Sequence, residues 1–235
     1  MFNKPPTLKI FTSEEIKIKD APPGTPALTP EQEQEKLPPE EIEKRQKIMT
    51  EYIRLSGRYC EPHSKKSRWV TVDDLPRVLT DGLDLVAMCN LPRGKYNGGA
   101  ALAHPQIDDK DPLRFFVLPN GVVVINPVIT SHTKTPVEKV EGCLSFPEED
   151  IKKNILRYNK ITVVYQTLER LDEKSEPVIS KPTTEILGSK IAHIFQHETA
   201  HLNGSQIYDI NSVPEACLWL GEGPLDEEDV KKLYE

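Results

Sequence analysis

The residues with the clearest chemical potential in this sequence are His197 and His201, with Glu198 directly after the first histidine. If the stretch is helical, residues four apart lie on the same face, and both imidazoles can reach one metal ion. Glu198 then stands at the edge of that face, where its carboxylate can reach a water molecule bound to the metal. The H-E-x-x-H spacing therefore predicts a metal site with a proton acceptor beside it.

The residues around this motif favour a helix. Ser189 is a plausible N-cap, and Gly204 after Asn203 is typical of a helix end. Four apolar residues are expected to pack the inward side of the helix: Ile191, Ile194, Phe195 and Leu202. Because H-E-x-x-H also occurs by chance, two core histidines on an amphipathic helix remain an alternative at this point.

Two further stretches bear on that alternative. Residues 141–147 read E-G-C-L-S-F-P, and residues 99–106 read G-A-A-L-A-H-P-Q. Cys143 in the first stretch can complete a site of one thiolate and two imidazoles, which leaves a tetrahedral metal one open position, as catalytic sites require. The four cysteines of the chain are irregularly spaced, so no disulfide framework is indicated, and a reducing compartment suits a thiolate ligand.

Together the three stretches resemble the peptide deformylase family, whose motifs read G-x-G-L-A-A-x-Q, E-G-C-L-S and Q-H-E-x-D-H-L-x-G. Their order here is the family's order, and E-G-C-L-S is matched without a change. The resemblance covers residues 70–210 and implies hydrolysis of the N-formyl group of formyl-methionine on new polypeptides. It also implies one divalent metal ion, iron(II) in the family, whereas the ligand set itself suits zinc(II) or nickel(II) as well.

The resemblance also implies roles for residues outside the ligand set. The side chain of Gln106 and the backbone N–H of Leu144 would donate hydrogen bonds to the carbonyl oxygen as negative charge develops there. We expect the substrate to lie against Gly99 and Ala101, where small side chains leave room for backbone. His193 and Ile194, one turn before the motif, are predicted to line the same pocket.

Three residues depart from the family pattern. Ala101 stands where the first motif has its second glycine, and its methyl group is expected to narrow the cleft or to alter how the substrate backbone pairs with the motif. His104 occupies a position that is usually small or apolar. Ala200 replaces an aspartate before the second histidine, and because carboxylates commonly orient metal-bound imidazoles, weaker metal retention is expected.

Composition bounds the remaining possibilities. With 30 basic and 37 acidic residues the net charge is −7, which argues against non-specific nucleic-acid binding. No apolar run approaches membrane-spanning length, and residues 1–20 lack a signal-peptide core. We therefore expect a cytoplasmic protein, with an organelle matrix as the alternative. The resemblance implies formylated peptides as its partners, with the ribosome exit region as a further candidate.

The predicted fold class is α+β, with antiparallel strands around a central metal-binding helix. Residues 1–68 form a predicted extension, a proline-rich arm in which residues 8–11 and 16–18 read as short strands, followed by a helix over 41–55. The catalytic domain is predicted at 69–211, with a helix from Asp73 to Cys89, a hairpin around Asn120-Gly121, and a loop over 130–140. Residues 212–235 would form a C-terminal segment with a short helix.

Two other functions stay open. A zinc protease built on H-E-x-x-H would add a downstream Glu or His ligand on a second helix. The residues after Gly204 offer Glu215, Glu222 and Glu227-Glu228 but no histidine, and Cys143 would go unexplained. The second is a non-catalytic relative that keeps the fold as a binding or ribosome-associated module. The long N-terminal arm and the three departures support this second alternative, whereas the complete set of chemical residues opposes it.

Overall fold

A five-stranded antiparallel sheet separates two helices in the computed structural model, which describes residues 8–12, 65–90, 92–93, 96–97, 99–143, 145, 153–170, 175–205 and 227–234. The strands are β1 (Phe11–Thr12), β2 (Pro92–Arg93), β3 (Tyr96–Asn97), β4 (Leu102–Ala103), β5 (Phe115–Val117), β6 (Val123–His132), β7 (Pro136–Glu141), β8 (Lys153–Tyr158), β9 (Lys160–Gln166), β10 (Leu168–Arg170), β11 (Val178–Ile179) and β12 (Thr183–Gly188). The helices are α1 (Leu75–Cys89), α2 (Ser189–Leu202) and α3 (Glu227–Leu233), and single 3-10 turns cover Val72–Asp74 and His104–Gln106.

The main sheet has the order β12-β9-β6-β5-β4, and every neighbouring pair in it is antiparallel. Alternation along each strand sends side chains to opposite faces. Phe116 and Val124, which pair across β5 and β6, join the core beneath α2, whereas Phe115 and Val117 join the core beneath α1. The expected α+β class with a central helix is confirmed, and each helix covers one face of the sheet.

The hairpin predicted at Asn120-Gly121 connects β5 and β6. Gly121 has φ 87°, and the Leu118 N–H donates to the carbonyl of Val122 at 2.9 Å. A backbone at positive φ suits glycine because it has no Cβ. The predicted turn and its flanking strands are therefore confirmed.

The predicted loop over residues 130–140 is wrong. β6 continues to His132, and β7 pairs with β8 in a separate two-stranded ribbon from Pro136↔Tyr158 to Glu141↔Lys153. Residues of β7 alternate between half-buried and exposed, with Lys139 half-buried and Val140 58% exposed. Such a lightly covered ribbon does not need the apolar alternation by which strands are recognised in a sequence.

The chain ends pack on this framework. β1 pairs in parallel with β10, and Leu8 packs against the core beneath α1, so this part of the predicted proline-rich arm lies against the core. The C-terminal helix is confirmed, and Tyr234 beyond it places its hydroxyl 2.6 Å from the carbonyl oxygen of Asn126. The predicted strand at 16–18 and the predicted helix at 41–55 lie outside the described residues. Within the described ranges, no helix has both the length and the apolar character required to cross a membrane.

Candidate metal centre and catalytic site

Helix α2 presents the histidine pair. It begins one residue after Gly188, so Ser189 is the first helical residue rather than the predicted N-cap. It ends at Leu202, and Gly204 follows at φ 82°, as expected for a residue just past a helix end. Phe195 and Leu202 are fully buried against the sheet, and this packing leaves the motif face turned away from the sheet core.

The side chain of Gln196 joins α2 to the two-stranded ribbon of β7 and β8. Its side-chain oxygen accepts from the N–H of Tyr158 at 2.8 Å, and its Nε2 donates to the carbonyl of the same residue at 2.8 Å. A fully buried amide with both groups satisfied holds one arrangement, since leaving either group unpaired would cost roughly 1–3 kcal/mol. This contact fixes the helix directly before His197.

Three candidate metal ligands converge on one point. The ligand atoms of Cys143, His197 and His201 all lie within 4.8 Å of one another, although Cys143 is 54 residues before the first histidine. The Cys143 Sγ lies 3.3 Å from the His201 Nε2, and the two imidazole centroids are 5.0 Å apart. One thiolate and two imidazoles at these separations fit a single divalent transition-metal ion.

The surroundings of Cys143 favour a thiolate. Burial alone raises the pKa of its thiol, but the charge of His201 and the hydrogen bonds from His197 and His201 outweigh burial. The pKa of Cys143 therefore lies well below its ordinary value. Because a cysteine binds metal as the thiolate, the site is prepared for a cation.

Glu198 is a buried carboxylate beside the ligands. It is only 4% exposed, and its Oε2 has no hydrogen-bond partner among the described residues. Burial raises the pKa of Glu198, while the charges of His197 and His201 act in the opposite direction. A buried carboxylate oxygen without a partner is costly, so it indicates a group that serves a bound water or substrate.

A carboxylate that the sequence argument did not assign orients His197. Glu141 Oε2 lies 2.9 Å from His197 Nδ1, and both Glu141 oxygens accept from the guanidinium of Arg157 at 2.9 Å. Burial raises the pKa of Glu141, yet the hydrogen bonds from His197 and Arg157 hold it at about 2. The missed signal was an acidic residue two positions before the candidate metal ligand Cys143. Glu141 thus supplies a carboxylate that orients an imidazole. The sequence predicted the loss of such a carboxylate at position 200, where Ala200 lies buried in the core.

Gln106 lies in the 3-10 turn that follows β4, and this turn packs against α2. Its Oε1 accepts from the Ala103 N–H at 2.8 Å, and its Nε2 donates to Ser145 Oγ at 3.1 Å. An amide NH₂ group has two hydrogens, so these contacts leave one N–H for another acceptor. Ser145 is two residues after Cys143, and its contact with Gln106 links the amide to the stretch that carries this candidate ligand.

The other predicted site residues occupy different environments. Ala101 is buried in the core beneath α2, and Gly99 donates its N–H to the carbonyl of Cys89. Ile194 is half-buried against that same core. His193 is half-buried, its Nε2 has no partner within the described ranges, and burial followed by the charge of Lys139 lowers its pKa. Leu144 lies outside the described residues.

The side chain of Arg114 contacts the residue that follows the end of α2. It is fully buried, and its guanidinium donates to the carbonyl of Pro127 at 2.8 Å and to Asn203 Oδ1 at 2.9 Å. The Cζ of the guanidinium lies over the ring of Trp69, 6.0 Å from the ring centroid. Burial lowers the pKa of Arg114 to about 10, which still leaves it charged near neutral pH. Sequence reasoning missed this residue because an arginine entering a strand is ordinarily exposed.

Comparison with known proteins agrees with these motifs. The family model described as polypeptide deformylase matches residues 87–215, more than half of the 235 residues. Peptide deformylase from Thermotoga petrophila is 41% identical over 114 residues, which cover 47% of this chain and 61% of the relative. Peptide deformylase 2 from Geobacillus stearothermophilus is 34% identical over 163 residues, covering 62% of this chain and 83% of the relative.

Solved peptide deformylases are also similar. The crystal structure from Legionella pneumophila is 28% identical with a TM-score of 0.48, covering 65% of this chain and 81% of that chain. The chain spans about 61% of the length of the Thermotoga relatives it matches. Since the family model spans most of the chain and the Geobacillus relative is matched over 83% of its length, this chain belongs to the polypeptide deformylase family.

Proposed function

We propose that this chain is a metal-dependent amide hydrolase that removes the N-formyl group from the N-terminal formyl-methionine of newly made polypeptides. The observation that carries the proposal is the convergence of Cys143, His197 and His201 within 4.8 Å, beside the buried carboxylate of Glu198. Membership of the polypeptide deformylase family supports the same reaction.

We assign Cys143, His197 and His201 as the ligands of one divalent metal ion. With such a cation bound, the available chemistry is activation of a water molecule as a nucleophile near neutral pH. Iron(II) is the proposed ion in the cell, and the same ligands suit zinc(II) and nickel(II). Glu141 would orient His197 through its bond to Nδ1, so that Nε2 faces the ion.

Glu198 is the proposed general base and acid. Its carboxylate accepts a proton from the attacking water and delivers that proton to the nitrogen of the departing amine. The C–N bond of the formyl amide breaks, and formate and a free amino terminus are released. The unpartnered Oε2 supports this role, because a carboxylate oxygen already engaged in a hydrogen bond is a poorer proton acceptor.

Gln106 is the proposed donor to the carbonyl oxygen, together with the backbone N–H of Leu144. Negative charge grows on this oxygen as the nucleophile adds, and donors fixed in advance stabilise it, each by roughly 3 kcal/mol. The two hydrogen bonds of Gln106 to Ala103 and Ser145 support the assignment, since they fix which end of the amide is the donor.

The remaining assignments concern substrate and location. We propose that Gly99 and Ala101 lie along the substrate backbone, and that His193 and Ile194 contact its first side chain. His193 lies one helical turn before His197, which supports its place at the edge of the site. Encounter with nascent chains near the ribosome exit, in the cytoplasm, follows from the proposed substrate.

The deciding experiment measures formate release from a formyl-Met peptide by protein loaded anaerobically with iron(II). Glu198→Ala should retain metal but lose about 10²- to 10⁴-fold in turnover, the usual range for a general base. Glu138→Ala is the matched control, because Glu138 lies exposed on β7. No turnover despite bound metal would favour a binding module. Cleavage of internal peptide bonds would favour a protease.

A further inference from the structure

His104 is a fully buried imidazole that the proposed reaction does not use. The Leu113 N–H donates to its Nδ1 at 3.0 Å, and its Nε2 lies 2.9 Å from Asp81 Oδ2. Because Nδ1 accepts a hydrogen bond, the ring proton belongs on Nε2, where it is donated to the carboxylate. The ring also packs against Phe115, with centroids 4.8 Å apart. Every polar atom of this side chain is thus engaged.

Asp81 belongs to α1 and is itself held in place. Arg77, one turn earlier, donates to Asp81 Oδ2 at 3.3 Å, to Asp108 at 2.6 Å and to Asp111 at 2.8 Å. Asp108 and Asp111 follow the 3-10 turn that contains His104. Helix α1 therefore contacts this region in two places. Asp81 bonds the imidazole of His104 within the turn, and Arg77 bonds the two aspartates that follow the turn.

The 3-10 turn that contains His104 also contains Gln106. The carbonyl of His104 accepts from the N–H of Ile107 at 2.9 Å and of Asp108 at 3.1 Å, which closes the turn around Gln106. Gln106 is only 3% exposed and bonds to Ala103 and Ser145, so small changes in this turn displace its amide. In a well-packed interior such a displacement is not absorbed locally.

We propose that His104, held by Asp81, is a positioning residue that aims the free N–H of Gln106 at the reacting carbonyl oxygen. The catalytic part rests on the proposed function. The histidine that departs from the family motif then has a defined role: it anchors the donor turn to α1 through its side chain. A small residue at position 104 would leave the turn without this bond.

Steady-state kinetics of the metal-loaded enzyme test the proposal. His104→Ala should lower kcat by about 10- to 100-fold and leave KM and metal content within about twofold, because a small misplacement of a transition-state donor costs this much. Asp81→Ala should show the same split, and Asp81→Asn, which keeps an acceptor oxygen, should recover part of the loss. Asp84→Ala is the control on the same helix, because Asp84 is exposed.

The dependence on Gln106 is tested in a double-mutant cycle. In a Gln106→Ala background, His104→Ala should have almost no further effect on kcat, because the donor it positions is gone. An equal loss of kcat in both backgrounds would overturn the proposal. A loss explained entirely by lower metal content or a rise in KM would overturn it as well.

A measurement independent of turnover separates this inference from the proposed function. The side-chain NH₂ signals of Gln106 in a ¹⁵N–¹H spectrum should be distinct and slow to exchange in the parent protein. His104→Ala and Asp81→Ala should shift these signals and speed their exchange, whereas Asp84→Ala should not. Unchanged signals overturn the inference even if the enzyme is active; altered signals support the positioning even if formyl-Met peptides are not cleaved.

Discussion

The two sides of the candidate site are built in different ways. On the metal side, His197 and His201 come from one helix, and their separation is set by the helix repeat. On the donor side, Gln106 lies in a turn of three residues whose position depends on α1, on Ala103 and on Ser145. A site element within one helix is specified locally, whereas one in a short turn is specified by its neighbours. Distant substitutions should therefore disturb the donor side more than the histidine pair.

Gln106→Ala should have the largest effect of any substitution that separates the donor side from the metal side. Removing one donor to a developing oxyanion costs about 10²- to 10³-fold in kcat. Because Gln106 belongs to the donor side only, metal content should stay at the parent level. The measurement is kcat with metal analysis on the same sample. Gln166→Ala serves as a control for the loss of a hydrogen-bonded amide elsewhere, because Gln166 lies in β9 and bonds Asn126 and Ser180. Loss of metal in Gln106→Ala would erase the distinction between the two sides.

Glu141→Gln should weaken the metal side by about 10- to 100-fold in metal affinity, the usual cost of losing a carboxylate that orients a histidine ligand. The change keeps the side-chain size but removes the charge that bonds His197 and Arg157. Competition with a chelator gives the zinc Kd of each variant. Glu138→Gln on the exposed side of β7 should keep the parent Kd. An unaltered Kd in Glu141→Gln would mean that helix geometry alone orients the two histidines for metal binding.

The pH profile examines Glu198, whose carboxylate is influenced by the charges of His197 and His201. Its pKa is raised from 4.5, chiefly by burial, so the protonated form persists to higher pH than for an ordinary glutamate. A general base must be deprotonated to accept a proton. As the pH is lowered, kcat/KM should therefore begin to decrease at a pH above 4.5, and it should then decrease about tenfold per pH unit. Profiles recorded with metal content monitored at each pH check this. An acid limb at or below 4.5 would contradict it.

Asp74→Ala should have the smallest effect and act on stability alone. Asp74 directly precedes α1, and its carboxylate accepts hydrogen bonds from Arg68 at 2.7 and 2.8 Å and from the Thr71 N–H. We expect a loss of about 1 kcal/mol in unfolding free energy, because Arg68 is 44% exposed and water screens the pair. Urea unfolding measures the loss, with exposed Asp73→Ala as control. If kcat falls as well, the donor side depends on the whole of α1 rather than on Asp81.

The same carboxyl predicts a stability change with pH. Hydrogen bonds from Arg68 hold the pKa of Asp74 at about 2, below its ordinary value of 3.8. Its contribution is therefore complete above pH 3.8 and is lost as the pH falls towards 2. The difference between parent and Asp74→Ala in urea should narrow across this window, and a constant difference would contradict the assignment.

Much of the scaffold was predictable because it follows local rules. The hairpin at Asn120-Gly121, the helix to Cys89 and the end of α2 before Gly204 all carry turn or capping residues with a fixed backbone preference. The strand β7 was not predictable, since its half-exposed residues carry no apolar alternation. The division at residues 68 and 211 stays a prediction.

The types of the chemical residues and their spacing can be read from the sequence: two histidines one helical turn apart, a glutamate between them, and a distant cysteine within a recognisable motif. Three contacts emerge only from the packed fold: the Glu141 carboxylate orients His197, Arg114 bonds Asn203 at the end of α2, and buried His104 joins the Gln106 turn to Asp81. The two groups of features differ in the sequence separation of the residues that interact. Helix repeat and turn preferences act over a few residues, whereas these contacts join residues 23 to 89 positions apart and form only when the whole core is packed.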